Sequence, residues 1–150
     1  DPRVCEFLPN VITRKETFAS VEKIQSHFKE FGFGLFATEL RSTKKFIGFV
    51  GLKYFSFHAP FTPNIELAWR LSWEHWGKGL ATEAALKVTQ YGFETLKLPE
   101  ILAITAKNNK RSWRVMEKLG MLSNPEENFL HPQLDHLHPL SEHVLYRIWR

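Results

Sequence analysis

The order strand, glycine loop, helix, strand, helix, strand after residue 64 predicts an α/β (α+β) fold, with helices packed on a central sheet. Two further observations point the same way. Ile101 to Ala106 is a short run of apolar residues, as expected of a central strand covered on both faces. Ala81, Ala85, Val88 and Gly92 recur at helical spacing and form a narrow face of small residues suited to close packing on a sheet. A chain of 150 residues fits one domain, spanning 1–150.

The elements follow in order. Ser20 is placed to cap a helix running to about Glu30, with Val21, Ile24 and Phe28 at helical spacing and Gly32 and Gly34 ending it. Phe33 to Glu39 and Lys45 to Phe57 read as two strands joined by a Ser42-Thr43-Lys44 turn, and Gly48 and Gly51 mark a bulge or a close approach. His58 to Asn64 carries two prolines and reads as a loop. Ile65 to Leu71 alternates, with Ile65, Leu67, Trp69 and Leu71 on one face and Glu66, Ala68 and Arg70 on the other. A loop from Ser72 to Lys78 leads to a helix from Gly79 to about Leu96. After the strand at Ile101, Asn109 caps a helix to Leu119, which Gly120 stops. Ser123 to His143 looks irregular, and Val144 to Trp149 is a last strand.

Composition narrows the function classes. Hydrophobic residues make up 43% and charged residues 24%, as in an ordinary globular protein. The net charge of +4 suits an anionic ligand but lacks the dense basic character of a DNA-binding module, so no nucleic-acid partner is expected. Apolar runs such as Phe46 to Leu52 are too short to span a bilayer, and no membrane partner is expected. The single cysteine, Cys5, has no partner for an internal disulfide, which fits a reducing, cytoplasmic setting. The chain opens on Asp1 with no signal peptide and no initiator Met, so further upstream residues are expected.

The clearest chemical signal lies between Leu71 and Ala84. A helix N-terminus offers unpaired N–H groups and the positive end of a dipole. Gly77 and Gly79 let the backbone close on a diphosphate, and Lys78 adds a cation. The dinucleotide fingerprint G-x-G-x-x-G is incomplete, because Thr82 stands where its third glycine would fall, and no Walker Gly-Lys-Ser/Thr occurs. Taken alone, such a loop is more often a glycine turn before a helix than a ligand site.

Read together, Ile65 to Met121 resembles the GCN5-related N-acetyltransferase (GNAT) superfamily, and within it the branch of the ribosomal-protein acetyltransferases RimJ and RimL. The residues that carry the resemblance are Glu66-Leu67-Ala68-Trp69-Arg70-Leu71, Trp76-Gly77-Lys78-Gly79-Leu80-Ala81-Thr82-Glu83-Ala84, and Asn109-Lys110-Arg111-Ser112 with Glu117-Lys118-Leu119-Gly120. Phe46 to Leu52 and Val144-Leu145-Tyr146 are similar to its hairpin and last strands. The resemblance implies a mixed, mostly antiparallel sheet splayed at the cofactor site after Trp69, flanked by helices, with the first N-terminal elements missing from this chain. It implies an acetyl-CoA-dependent N-acetyltransferase acting on a primary amine, either a protein N-terminus or a small molecule, as a monomer or homodimer. A CoA-binding module without catalysis, or a nucleotide-binding protein using the glycine loop, are the competing readings.

By the same resemblance, Trp69, Arg70 and Leu71 offer backbone groups to pantetheine, and the N–H near Leu71 serves as an oxyanion donor. Trp76, Gly77, Lys78, Gly79, Leu80 and Ala81 form the pyrophosphate loop. Asn109 bonds the pantetheine arm through its side-chain amide while also capping its helix. Glu66 is the candidate base, against the reading of an ordinary surface carboxylate. Ser112 is the candidate acid and a cofactor contact, because Met116 stands where many relatives carry a tyrosine. Lys107, Lys110, Arg111, Arg114 and Lys118 form a basic cluster that reads as attraction for CoA's phosphates or, for most of them, as a solvated helix face. His131, His136, His138 and His143 with Asp135 fit no zinc spacing, so no metal is expected, and these histidines are assigned to the acceptor pocket or a surface loop. The acceptor pocket is expected to lie between the Pro60 to Pro63 loop, the early helix and Phe129 to His143.

Overall fold

A computed structural model describes residues 1–150 as one α/β domain built on an open seven-stranded mixed sheet with three helices. Helix α1 (Arg14–Phe31) starts well before the expected Ser20 cap. Thr13 and Glu16 form a reciprocal capping box: Thr13 N–H donates to Glu16 Oε2 at 2.7 Å, and Glu16 N–H donates to Thr13 Oγ1 at 3.3 Å. Ser20 therefore sits inside the helix, its hydroxyl donating to the Glu16 carbonyl. Gly32, with φ of 76°, ends α1 in the left-handed conformation.

Strands β1 (Leu35–Glu39) and β2 (Phe46–Tyr54) form the expected antiparallel hairpin, and β3 (Ile65–Leu71) pairs antiparallel with β2. Helix α2 (Leu80–Glu94) then crosses to β4 (Glu100–Ala106), which lies parallel to β3. The only register pair between those two strands is Glu66↔Leu102, so the sheet opens before Trp69, earlier along the strand than expected. Helix α3 (Lys110–Lys118) follows. Two-residue strands β5 (Leu122–Ser123) and β6 (Phe129–Leu130) and the long β7 (Glu142–Trp149) complete the sheet in the order β1-β2-β3-β4-β7-β5, with β6 also on β7. β5 and β6 fall at and within the stretch expected to be irregular. Neither is long enough for alternation to show in the sequence.

The main core lies on one sheet face, where Leu52, Leu67, Ile101 and Tyr146 meet Ala85 and Val88 of α2 and Met116 of α3. The small-residue face of α2 is what permits this approach. A Cβ added at Gly92 would come within 2.7 Å of Ile101 Cδ1 and 3.0 Å of Leu52 Cδ1. On β7, Val144 and Tyr146 face this core, so His143, Leu145 and Arg147 alternate to the opposite face. There Phe55, Phe57, Phe61 and Phe129 pack edge to face and extend to the rings of His131 and His143.

Candidate active site

Where β3 and β4 part, an open cavity of about 960 Å³ runs through the sheet. One end reaches the glycine loop and α3, and the other reaches the sheet face that carries His131 and His143. Of the residues singled out in the sequence, Glu66, Trp69, Arg70, Leu71, Trp76, Gly77, Gly79, Leu80, Ala81, Asn109 and Ser112 all line it.

The loop end is shaped by two left-handed glycines, Gly77 (φ 71°) and Gly79 (φ 77°), positions at which an L-side chain is strained. Gly79 is the N-cap of α2 and supplies no side-chain acceptor, so no side chain covers the first N–H groups of that helix. The indole of Trp76 donates from Nε1 to the Leu71 carbonyl at 2.8 Å and ties the loop to the end of β3. A short 3-10 turn, Trp73–His75, precedes it, with His75 buried and 2.7 Å from Ser72 Oγ. Lys78 departs from expectation. It is exposed, lies outside the cavity wall, and its ammonium donates to the Glu74 carbonyl at 2.9 Å. The cavity's cations at this end come from α3 instead: Arg111, Arg114 and Lys118 line it, although the sequence favoured a solvated face for most of that cluster. Lys107 and Lys110 do remain outside, the first paired with Glu142 and the second over the Trp113 ring.

Asn109 is engaged within the protein. Its Nδ2 donates to Thr105 Oγ1 at 2.9 Å and to Ser112 Oγ at 3.0 Å, and its Oδ1 accepts from Ser112 N–H at 3.3 Å. Both amide hydrogens are thus used. What remains for a ligand is acceptor capacity on Oδ1. Because Ser112 Oγ already accepts from Asn109, its own hydroxyl hydrogen is free to donate.

Glu66 is largely buried, with 12% of its side chain exposed, and its Oε2 forms an ion pair with Lys53 Nζ. Lys53 stands directly opposite Glu66 in the β2–β3 register. No protein group bonds Oε1, so that oxygen keeps its acceptor capacity. Nearby, His131 and His143 approach with ring centroids 4.8 Å apart. Gln133 N–H donates to His131 Nδ1, and His143 Nδ1 lies 3.2 Å from the Ser141 carbonyl. Burial, the neighbouring His143 and the Lys53 charge push His131 down to about 4. Burial lowers His143 as well, opposed by the Ser141 carbonyl. Both imidazoles are therefore neutral near neutral pH.

Met116 is fully buried in the core, away from the cavity. His136 and His138 do not line the cavity, and no group of three potential metal ligands exists. The expected acceptor walls are only partly right. Residues 131–143 contribute, but the Pro60 to Pro63 loop and α1 do not; Phe61 underpins the site by packing on Phe129. Val4, Phe7, Leu8 and Pro9 also line the cavity. Arg111 anchors that segment, pairing with Glu6 and lying 5.2 Å from the Phe7 ring and 4.7 Å from the Trp76 ring. The sequence carried no signal for this segment beyond its aromatic and proline residues. Lys53 was also missed, since only the strand register brings it to Glu66.

Comparison with known proteins agrees with this geometry. Residues 1–122 match the family described as the acetyltransferase (GNAT) domain. The N-acetyltransferase YnaD of Bacillus subtilis is 33% identical over 123 residues, covering 81% of this chain and 67% of YnaD. YkkB of the same organism is 30% identical over 121 residues, covering 81% of this chain and 69% of YkkB. A solved GNAT-family acetyltransferase from Bacillus anthracis superposes with a TM-score of 0.78 at 29% identity, covering 99% of this chain and 82% of that one. With the split sheet, the glycine loop and the helix Asn109 caps all in place, the chain belongs to the GNAT acetyltransferase family.

Proposed function

We propose that this protein is an N-acetyltransferase that moves an acetyl group from acetyl-CoA to a primary amine by direct attack, with the motif residues aligning it with the RimJ/RimL-like branch. The observation that carries the reading is the single cavity joining a glycine-lined helix N-terminus to the Glu66 carboxylate through the gap between β3 and β4. Acetyl-CoA supplies the activated thioester. Gly77, Gly79, Leu80 and Ala81 bind its pyrophosphate with backbone N–H groups, Trp76 holds the loop in place, and Arg111, Arg114 and Lys118 attract its phosphates. Lys78 plays at most a peripheral part, given its bond to the Glu74 carbonyl.

Backbone groups of Trp69, Arg70 and Leu71 hold the pantetheine arm, and Asn109 Oδ1 accepts from one of its amides. An N–H near Leu71 faces the thioester oxygen, where negative charge develops. Glu66 Oε1 takes the proton that the acceptor ammonium must lose, directly or through a water, while Lys53 fixes the carboxylate by its other oxygen. As the C–N bond forms and the C–S bond breaks, Ser112 Oγ–H supplies a proton to the leaving thiolate, and the second proton shed by the new amide nitrogen, relayed through solvent, restores the Ser112 hydroxyl. The lone Cys5 leaves no internal disulfide to form, which fits a reducing cytoplasmic setting.

Free-thiol release from acetyl-CoA, measured across a panel of amines, tests the reading. Glu66→Gln is expected to lower kcat by about 10²–10⁴-fold with little change in acetyl-CoA affinity. Acetyl-CoA binding with no thiol release for any amine would support the non-catalytic CoA-binding module instead.

A further inference from the structure

The charges around the cavity are strongly unequal. Its walls carry five cations, Lys53, Arg70, Arg111, Arg114 and Lys118, against one carboxylate, Glu66. That carboxylate is already paired with Lys53, and Arg111 is paired with Glu6. Arg114 and Lys118 stand on α3 beside the glycine loop, where phosphates account for them. Arg70 is left over. It has neither an ion pair nor a side-chain hydrogen bond in the protein, and its guanidinium lies 5.4 Å from the centroid of the Phe49 ring. Arg70 is exposed, so its guanidinium is open to a ligand entering the cavity; desolvation lowers its pKa and the neighbouring Cys5 opposes that.

Strand alternation turns Arg70 away from the sheet face beneath α2. Leu67 and Leu71 of β3 face the core beneath α2, the helix that presents the glycine loop. Glu66, Ala68 and Arg70 alternate onto the other face, the face of His143. All three line the cavity. Ala68, the middle residue, is too small to divide the space between its neighbours. The three thus floor one trough, with a carboxylate at one end and an unpaired guanidinium at the other, roughly 13 Å apart at the backbone.

We propose that the acceptor is an amine that also carries an anionic group, seated with its amine at Glu66 and its anion at the Arg70 guanidinium. This rests on the acetyl-transfer reading and narrows its substrate class. A carboxylate is the simplest group that satisfies Arg70, through a planar two-point contact. A polyamine is disfavoured, because its second ammonium would lie beside Arg70 with no free carboxylate to receive it.

The test is a ladder of ω-amino carboxylates set against the diamines of matching length, with thiol release as readout. A second arm uses short peptides with a free N-terminus and either Glu or Lys at the second position, which separates small-molecule from N-terminal acceptors. Wild type and Arg70→Gln are compared in both arms, and acetyl-CoA affinity is measured calorimetrically for each. At one ladder length or in the Glu peptide, the anionic amine is expected to exceed its cationic counterpart at least about tenfold in kcat/KM, a difference of about 1.4 kcal/mol. Arg70→Gln should erase that preference mainly through KM for the anionic amine, with any loss of acetyl-CoA affinity smaller than that KM effect, and be partly rescued by Arg70→Lys. Preference for diamines or the Lys peptide overturns the inference. So does an Arg70→Gln variant whose main loss is in acetyl-CoA affinity, which would assign Arg70 to the cofactor. Failure of wild type to bind acetyl-CoA overturns the underlying reading, whereas binding without acetylation of any anionic amine overturns this inference alone.

Discussion

Lys53 and Glu66 stand opposite one another in the antiparallel β2–β3 ladder and form an ion pair inside the cavity wall. The pairing gives the carboxylate two unequal oxygens, one held by the ammonium and one open to a ligand. It also makes Lys53 a positioning residue, since it acts on the reaction only through Glu66.

The first consequence is for stability. Lys53→Met leaves a largely buried carboxylate without its partner and is expected to cost roughly 1–3 kcal/mol in urea unfolding. Lys45→Met, which breaks the exposed pair with Glu74, should cost under about 1 kcal/mol. Equal costs for the two would mean that the Lys53–Glu66 pair is effectively solvated.

Kinetics should separate Lys53 from the cofactor site. Lys53→Met is expected to lower kcat about tenfold or more with acetyl-CoA affinity unchanged, while Lys53→Arg restores much of the loss. A drop confined to acetyl-CoA binding would contradict the placement of this pair at the acceptor end.

The histidine pair predicts a pH dependence. His131 is held near 4 in the folded protein, against its usual 6.5, chiefly by burial. In that window the unfolded chain takes up a proton that the folded one refuses. Stability from this group is therefore complete above about 6.5 and falls as pH drops towards about 4. Urea midpoints measured across this range should decline in wild type and decline less in His131→Phe, which keeps an aromatic ring against Phe57. The depressed carboxyls of Glu16 and Glu74 also lose their contribution as pH falls, but they are common to both proteins and cancel in the comparison. Parallel curves would mean that His131 protonates freely in the folded state.

Close approach of backbone and helix sets the last mutational prediction. A Cβ at Gly51 would lie 2.1 Å from the Gly34 carbonyl oxygen, a backbone atom that cannot move without shifting β1. At Gly92 the obstacles are the terminal methyls of Ile101 and Leu52, and alanine gains helix propensity of about 1 kcal/mol. Gly51→Ala should therefore destabilise clearly more than Gly92→Ala. The reverse order in denaturant midpoints would contradict this account of the β1–β2 contact.

How far the sequence revealed this arrangement differs from element to element. β3 was legible to the residue, because Ile65 to Leu71 alternates cleanly and both faces have defined partners. α2 was legible from its small-residue face, and the Asn109 cap from its position before a helical run. The start of α1 differs from the sequence reading because the cap is the reciprocal Thr13–Glu16 box, seven residues before Ser20, and Ser20 lies inside the helix. Lys78 looked like a phosphate ligand because sequence gives adjacency and not side-chain direction. Lys53 and the segment around Phe7 were invisible for a related reason. Each reaches the cavity only through long-range pairing, Lys53 across the β2–β3 register and Phe7 through Arg111.

The most direct test of the central claim is calorimetric titration of the purified protein with acetyl-CoA, alongside Gly79→Trp and the exposed charge reversal Arg114→Glu. Titration is expected to show one acetyl-CoA bound per chain, binding abolished by Gly79→Trp, and at least about tenfold weaker binding in Arg114→Glu with an unchanged unfolding midpoint. A well-folded wild-type protein that does not bind acetyl-CoA, or one that binds it equally well with both substitutions, would contradict the claim that this cavity is the acetyl-CoA site.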